Sequence, residues 1–140
     1  MPGGNAELVE RGYEMFRRRD LEGIVGLFAE DCELVAYDPS PTSFRGPEGV
    51  RDFLGGIFDT FESFDFVVER MIEQGPQVLV LVRNRARLGT IEMDQPGAHL
   101  WTLREGLIQR AVVYQDPQEA LRDTGLGAGG AEPGSQSSWG

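Results

Sequence analysis

Arg19-Asp20-Leu21-Glu22-Gly23-Ile24-Val25-Gly26-Leu27-Phe28-Ala29-Glu30-Asp31 decides the fold of this chain, because it joins the end of one amphipathic helix to the cap of the next. Asp20 is placed as an N-cap, where a short carboxylate accepts from the orphan N–H groups of a first helical turn. Leu21, Ile24, Val25 and Phe28 then recur three and four apart, which puts them on one helical face. Gly23 and Gly26 cost this helix about 1 kcal/mol each relative to alanine, and they suit close packing against a neighbouring helix. Upstream, Ala6, Val9, Tyr13 and Phe16 repeat the spacing and predict a first helix over about Ala6 to Arg18. Asn5 suits its N-cap, and Glu7 and Glu10 suit the positive end of its dipole.

Downstream the period changes. Cys32, Leu34 and Ala36 alternate with Glu33, Val35 and Tyr37, predicting a strand from Cys32 to Asp38. Asp38 to Gly46 contains two prolines and a glycine and reads as a loop. Pro47 fits the first position of a third helix, on which Val50, Phe53, Leu54, Ile57, Phe58 and Phe61 form an apolar stripe. Such a stripe requires a broad apolar surface to lie on.

The second half supplies that surface. Four strands are predicted at about Phe64 to Gln74, Gln77 to Leu88, Ala98 to Arg104 and Leu107 to Gln115. Gly75-Pro76 and Glu105-Gly106 are turn sequences between them, so the strands form an antiparallel meander. Helices first and strands afterwards favour α+β over α/β. Asp116-Pro117 opens a short last helix, ending near Leu121 to Leu126. The domain is assigned to residues 1–126, and 127–140, rich in glycine and serine, is assigned to a disordered tail.

The chain has 140 residues, enough for one core. Its formal charge is −10 and all thirteen basic residues are arginine. A nucleic-acid surface needs a dense positive patch, so none is expected; Arg17-Arg18-Arg19 suits a helix C-terminus instead. Cys32 has no partner for an intrachain disulfide and reads as a small buried apolar residue. No signal peptide and no membrane span are expected, which points to a cytoplasmic protein. A single histidine with no carboxylate at helical spacing leaves no ligand set for a metal, and no glycine-rich phosphate loop follows a strand. No cofactor is expected.

Three pieces carry a family resemblance: Arg19 to Ile24 with Phe28-Ala29-Glu30-Asp31; Phe44-Arg45-Gly46-Pro47-Glu48-Gly49-Val50; and Trp101-Thr102-Leu103-Arg104-Glu105-Gly106-Leu107-Ile108. In this order and spacing they resemble the NTF2-like superfamily, which includes the SnoaL-like and ketosteroid-isomerase-like proteins. The resemblance implies an α+β, cystatin-like cone in which three N-terminal helices pack on a curved antiparallel sheet around a pocket. It also implies a homodimer formed through the outer face of the sheet, with Arg83, Arg85 and Arg87 at or beside the contact.

The ketosteroid isomerases of this superfamily use a base carboxylate, a helix-one tyrosine and a protonated aspartate. Laid on that pattern without gaps, this chain has Ala36, Gly12 and His99 at those three places, so none of the three residues is retained. Asp38, two residues beyond Ala36, stands in for the base, and Tyr13 for the donor. His99, Asp38 and Tyr13 are therefore the candidate catalytic residues. His99 has two readings: a pocket acid/base group, by its ordinary pKa near 6.5 and by resemblance to the scytalone-dehydratase and polyketide-cyclase branches, or a wall residue bonded to a strand neighbour or a tyrosine. The epoxide hydrolases of the superfamily use an arginine flanked by carboxylates, and no aspartate accompanies Arg83, Arg85 and Arg87 at alternate spacing. The pocket lining is assigned to Phe16, Tyr37, Phe53, Ile57, Trp101, Ala111 and Val113 together with Tyr13 and His99, with Asp38 near the mouth.

The function these residues imply is binding of a small hydrophobic or polycyclic molecule, with cofactor-free acid/base conversion of an isomerase, dehydratase or cyclase type as its extension. The alternative is a non-catalytic dimeric accessory module with a vestigial pocket.

Overall fold

In the computed structural model, which describes residues 4–37 and 40–126, helix α1 (Gly4–Arg17) buries Val9, Tyr13 and Phe16. The proposed tail at 127–140 and Asp38 lie outside the described residues. Helix α1 stops because Arg19 turns left-handed, with φ 57°. Asp20 N then donates to Met15 O and Arg19 N to Phe16 O, each at 2.9 Å, which satisfies the last carbonyls of the helix. The Arg19 guanidinium donates to Phe58 O at 2.6 Å and lies 4.7 Å from the centre of the Phe58 ring. The basic run therefore ties two helices together.

Asp20 caps α2 (Leu21–Val25) by accepting from Gly23 N at 3.0 Å. The periodicity that places Phe28 on this helix is overruled: Phe28 opens strand β1 (Phe28–Tyr37). The cause is long-range, since Ile108 N donates to Leu27 O at 2.8 Å and Phe28 aligns with Ile108 in the sheet. Phe28 stays in the same core cluster as Ile24 and Val25, reached through a different backbone.

The expected loop at 38–46 contains a further strand, β2 (Pro41–Arg45), antiparallel to β1 with Glu33 opposite Arg45 and Tyr37 opposite Pro41. Proline is tolerated there because β2 is the outermost strand and Pro41 its first residue. Gly46, at φ 69°, then turns the chain into helix α3 (Gly46–Thr60), with Pro47 at its start.

Gly49 in the first turn of α3 is packed against β2 itself. A Cβ there would meet the Phe44 carbonyl carbon at 2.7 Å and Phe44 Cα at 3.1 Å. Because Phe44 is held in the ladder opposite Leu34, its backbone has little freedom to yield. Gly49→Ala is expected to cost about 2 kcal/mol by overpacking. A urea midpoint unchanged from that of the parent protein would show that β2 moves freely.

The remaining strands are β3 (Ser63–Gln74), β4 (Gln77–Leu88), β5 (Ile91–Arg104) and β6 (Leu107–Tyr114). Strand β5 begins seven residues before Ala98 because it pairs with β4 along its whole length, up to Leu88 opposite Ile91. The strand order is β2-β1-β6-β5-β4-β3. Strands β3 to β6 are an antiparallel meander, but β1 lies parallel to β6, with Leu34 beside Ala111 and Ala36 beside Val113. The sheet is therefore mixed rather than antiparallel throughout. The α+β class stands.

One core lies between the helices and the inner face of the sheet, including Val9, Phe16, Val50, Leu54, Val80 and Ala111. A second covers the outer face, where Leu79, Leu81, Ala98, Leu100 and Val112 pack with Ala120 and Leu121 of α4 (Pro117–Thr124). Asp116 caps α4 by accepting from Gln118 N at 2.9 Å. Beyond α4 on this face, Arg83 and Arg85 meet Asp94 at 2.7 and 3.5 Å, and Arg87 meets Glu92 at 3.0 Å. The carboxylates that sequence spacing did not supply come from the neighbouring strand.

Candidate functional site

Helix α1, helix α3 and the inner face of the sheet enclose a cavity of about 50 Å³. Val9, Gly12, Tyr13 and Phe16 of α1 form one wall, and Phe53 and Leu54 of α3 another. Phe28, Leu34, Phe66, His99, Trp101, Ile108, Ala111 and Val113 reach it from the sheet, and Ile24 and Leu27 from the segment around α2. Alternation along β5 and β6 explains the sheet's share: His99 and Trp101 point inward while Ala98 and Leu100 point outward, and Ala111 and Val113 flank the outward Val112.

The polar groups of this wall form one cluster. Tyr13 Oη lies 2.7 Å from His99 Nδ1, and Trp101 Nε1–H donates to Tyr13 Oη at 3.1 Å. The Tyr13 and His99 rings are nearly parallel, 16° between planes, and Phe66 meets the imidazole edge-on at a centroid distance of 4.6 Å. His99 is 4% exposed and Tyr13 5%. Burial pushes the His99 imidazole down to about 4, because its cation has no water to solvate it. Burial also pushes the Tyr13 hydroxyl well above its ordinary value, with the Trp101 hydrogen bond as a smaller opposing influence. Both groups are neutral at pH 7 and far from titrating there.

Of the proposed site residues, Tyr13, Phe16, Phe53, His99, Trp101, Ala111 and Val113 lie on the cavity wall. Tyr37 does not. Strand alternation that sends Leu34 and Ala36 inward sends Tyr37 to the outer face, where it stacks on Tyr114 with centroids 5.5 Å apart. Ile57 packs against the inner core without reaching the cavity. Asp38 lies outside the described residues, so Tyr13 and His99 are the candidate catalytic residues whose geometry is described. Cys32 is buried, and desolvation raises its thiol pKa, which suits a packing residue.

The sequence reading missed Val9, Gly12, Ile24, Leu27, Leu54 and Ile108 among the lining residues, as well as Phe66, Leu34 and Phe28. The alternation of Phe64, Phe66 and Val68 was a signal for Phe66, since one face of β3 had to meet the helices. Phe28 carried no such signal while it was read as helical. Among the described residues no group of three His, Cys, Asp or Glu side chains is placed to hold a metal ion. Among the described residues no helix is long and apolar enough to cross a membrane.

Residues 9–111 match the family model of a SnoaL-like domain. No curated protein matches the chain in sequence. Among solved structures, TerC co-crystallised with polyporic acid is 25% identical, with a TM-score of 0.72 over 88% of this chain and 97% of that one. An NTF2-like protein from Burkholderia pseudomallei is 22% identical, with a TM-score of 0.73 over 85% of this chain and 95% of that one. A protein of ketosteroid-isomerase-like fold from Catenulispora acidiphila, in complex with trimethylamine, is 17% identical, with a TM-score of 0.72 over 90% of this chain and 98% of that one.

Proposed function

This chain belongs to the SnoaL-like domain family, of NTF2-like fold, and from that premise we propose that it binds a small hydrophobic molecule in the cavity between α1, α3 and the sheet. The observation that carries the proposal is the composition of the wall: apolar side chains surround one hydrogen-bonded cluster of Tyr13, His99 and Trp101. A pocket of this kind gains affinity from its apolar surface and orientation from its few polar groups. TerC with polyporic acid and the Catenulispora protein with trimethylamine are structural neighbours that hold small molecules.

Binding is better supported than acid/base conversion. A general acid or base works best with a pKa near the operating pH. The His99 imidazole, at about 4, is well below that range, and the Tyr13 hydroxyl is well above it. The volume also bears on the ligand: about 50 Å³ is room for roughly three to five water molecules, against about 300–1,000 Å³ for a drug-sized pocket. A polycyclic ligand requires the half-buried Phe53 and Trp101 to swing aside, whereas a small one does not.

Native mass spectrometry of protein purified from its own host, followed by thermal unfolding with a panel of small apolar compounds, tests the proposal. A ligand at a hundred times its Kd adds about 2.7 kcal/mol of stability, so a binder is expected to raise the melting temperature by several degrees. A panel without any stabiliser, together with protein that carries nothing, would reject ligand binding.

The small cavity favours the second reading, a dimeric accessory module with a vestigial pocket. Because α4 already covers the middle of the outer face, self-association there would use the uncovered part around Arg83, Arg85, Arg87 and Asp94. Under that reading a dimer is expected in sedimentation velocity at micromolar concentration. A monomer at that concentration would reject it.

A further inference from the structure

Resting on the reading of the cavity as a ligand site, we propose that Gly12 is a specificity-determining residue of that site. Its missing side chain leaves the room in which a compact hydrocarbon part of the ligand lies against helix α1.

The inward stripe of α1 is Val9, Gly12, Tyr13 and Phe16, the spacing of one helical face. Three of these positions carry buried side chains, and the fourth carries none. Glycine has familiar structural uses at left-handed turns, at helix ends and where two backbones meet, and Gly12 serves none of them. It is not among the left-handed glycines, which are Gly46, Gly75, Gly89, Gly106 and Gly125. It lies inside α1 rather than at an end. No neighbouring backbone approaches it, because the one atom of another element within 4 Å of an added Cβ is Leu27 Cδ1, at 3.5 Å. That is ordinary van der Waals contact. At Gly49 the same atom would run into the Phe44 backbone.

Alanine would therefore fit at position 12, and it would favour the helix, since only proline is a poorer helix former than glycine. What a methyl group would remove is space. Gly12 and Leu27 both line the cavity, so the methyl would stand in the gap between them. A methyl group is about the size of a water molecule, and the cavity of about 50 Å³ has room for only roughly three to five of those. A residue that weakens its own helix while keeping a cavity open is the trade between stability and function expected where something is bound.

The surroundings set the chemistry of the group that fills the gap. Val9, one turn earlier on the stripe, and Leu27 are apolar, and no charged side chain lines the cavity. The group held there is a hydrocarbon one, the edge of a small ring or a branched alkyl end.

Benzene titrated into the protein tests this, followed by the methyl NMR signals of the lining Val9, Leu27 and Ile108, which the ring current of a bound benzene shifts. Gly12→Ala is expected to raise the melting temperature by about 4 °C. It is also expected to weaken benzene binding about tenfold, the effect of one methyl in an apolar pocket. Gly56→Ala is the control, because Gly56 is exposed in α3, does not line the cavity and has nothing within 4 Å of an added Cβ. That variant is expected to gain stability in the same way and to bind benzene as the parent protein does. Leu27→Val combined with Gly12→Ala removes the atom nearest the new methyl and is expected to recover the lost affinity. A Gly12→Ala protein that is less stable than the parent, or that binds benzene as tightly, overturns the role of Gly12 and leaves the ligand-site reading intact. So does an equal loss of affinity in Gly56→Ala, or a loss that Leu27→Val does not relieve. A parent protein that binds neither benzene nor any other small apolar compound of the panel overturns the role of Gly12 and the ligand-site reading together.

Discussion

Lowering the pH from 6.5 to 4 is expected to remove about 3 kcal/mol of folding stability through His99 alone. In the folded protein burial holds the imidazole at about 4, whereas in the unfolded chain it returns to 6.5. Between those values the unfolded state binds a proton that the native state refuses, so stability rises with pH across the window. The contribution is fully present above 6.5, falls as the pH drops, and is exhausted below about 4, where both states are protonated. No carboxylate lines the cavity to rescue the cation, since the ring contacts are Tyr13, Phe66 and Trp101. Glu22, Glu33 and Asp94 have pKa values held down by hydrogen bonds, to Arg51, to Ser43 and Arg110, and to Arg83 respectively. They too lose stability in acid, but only as the pH falls through the carboxylate range. Urea unfolding of the parent protein and of His99→Gln at a series of pH values separates the two effects. The parent should weaken steadily between pH 6.5 and 4.5 while the variant stays level. Equal slopes would mean that His99 is solvated or paired, contrary to its position in the core.

Tyr13→Phe is expected to destabilise the protein by about 3 kcal/mol, although it removes a single oxygen. That oxygen accepts from Trp101 Nε1–H and bonds His99 Nδ1, so its loss strands two buried polar atoms at about 1–3 kcal/mol each. The phenyl ring that remains keeps the packing against Phe66 and Trp101, so little of the loss is attributable to a cavity. For a domain of this size the corresponding fall in melting temperature is about 10 °C. A fall of less than about 2 °C would mean that a water molecule replaces the hydroxyl and bonds both neighbours, which the cavity is large enough to permit.

The helices were readable because their signals are local. Val9, Tyr13 and Phe16 share a face through the pitch of one helix, and Asp20 caps through atoms three residues away. The strands β3, β4 and β6 were readable for the same reason, since alternation needs no knowledge of the neighbour. Where competing partners were distant, local signals failed. Phe28 has the spacing of α2 and was taken by the sheet through its alignment with Ile108. The segment from Pro41 to Arg45 has the composition of a loop, yet β1 offered its backbone an unpaired edge. Tyr37 was assigned to the pocket, although the alternation that puts Ala36 inward already puts it on the outer face.

By itself the sequence determined the α+β class, the helix stripes, the turns and the importance of its one histidine. Only the tertiary structure decided what that histidine does. Tyr13 and His99 are 86 positions apart and Tyr13 and Trp101 are 88 apart, and nothing in the spacing of α1 or β5 says that the three will share two hydrogen bonds. The ion pairs of Arg83 and Arg85 with Asp94 are of the same kind, because register between strands brings them together. Periodicity follows from the geometry of a single element and is written in every few residues. Register, burial and hydrogen-bond direction depend on which distant surface that element meets, and burial by that surface turns an ordinary imidazole into a neutral one.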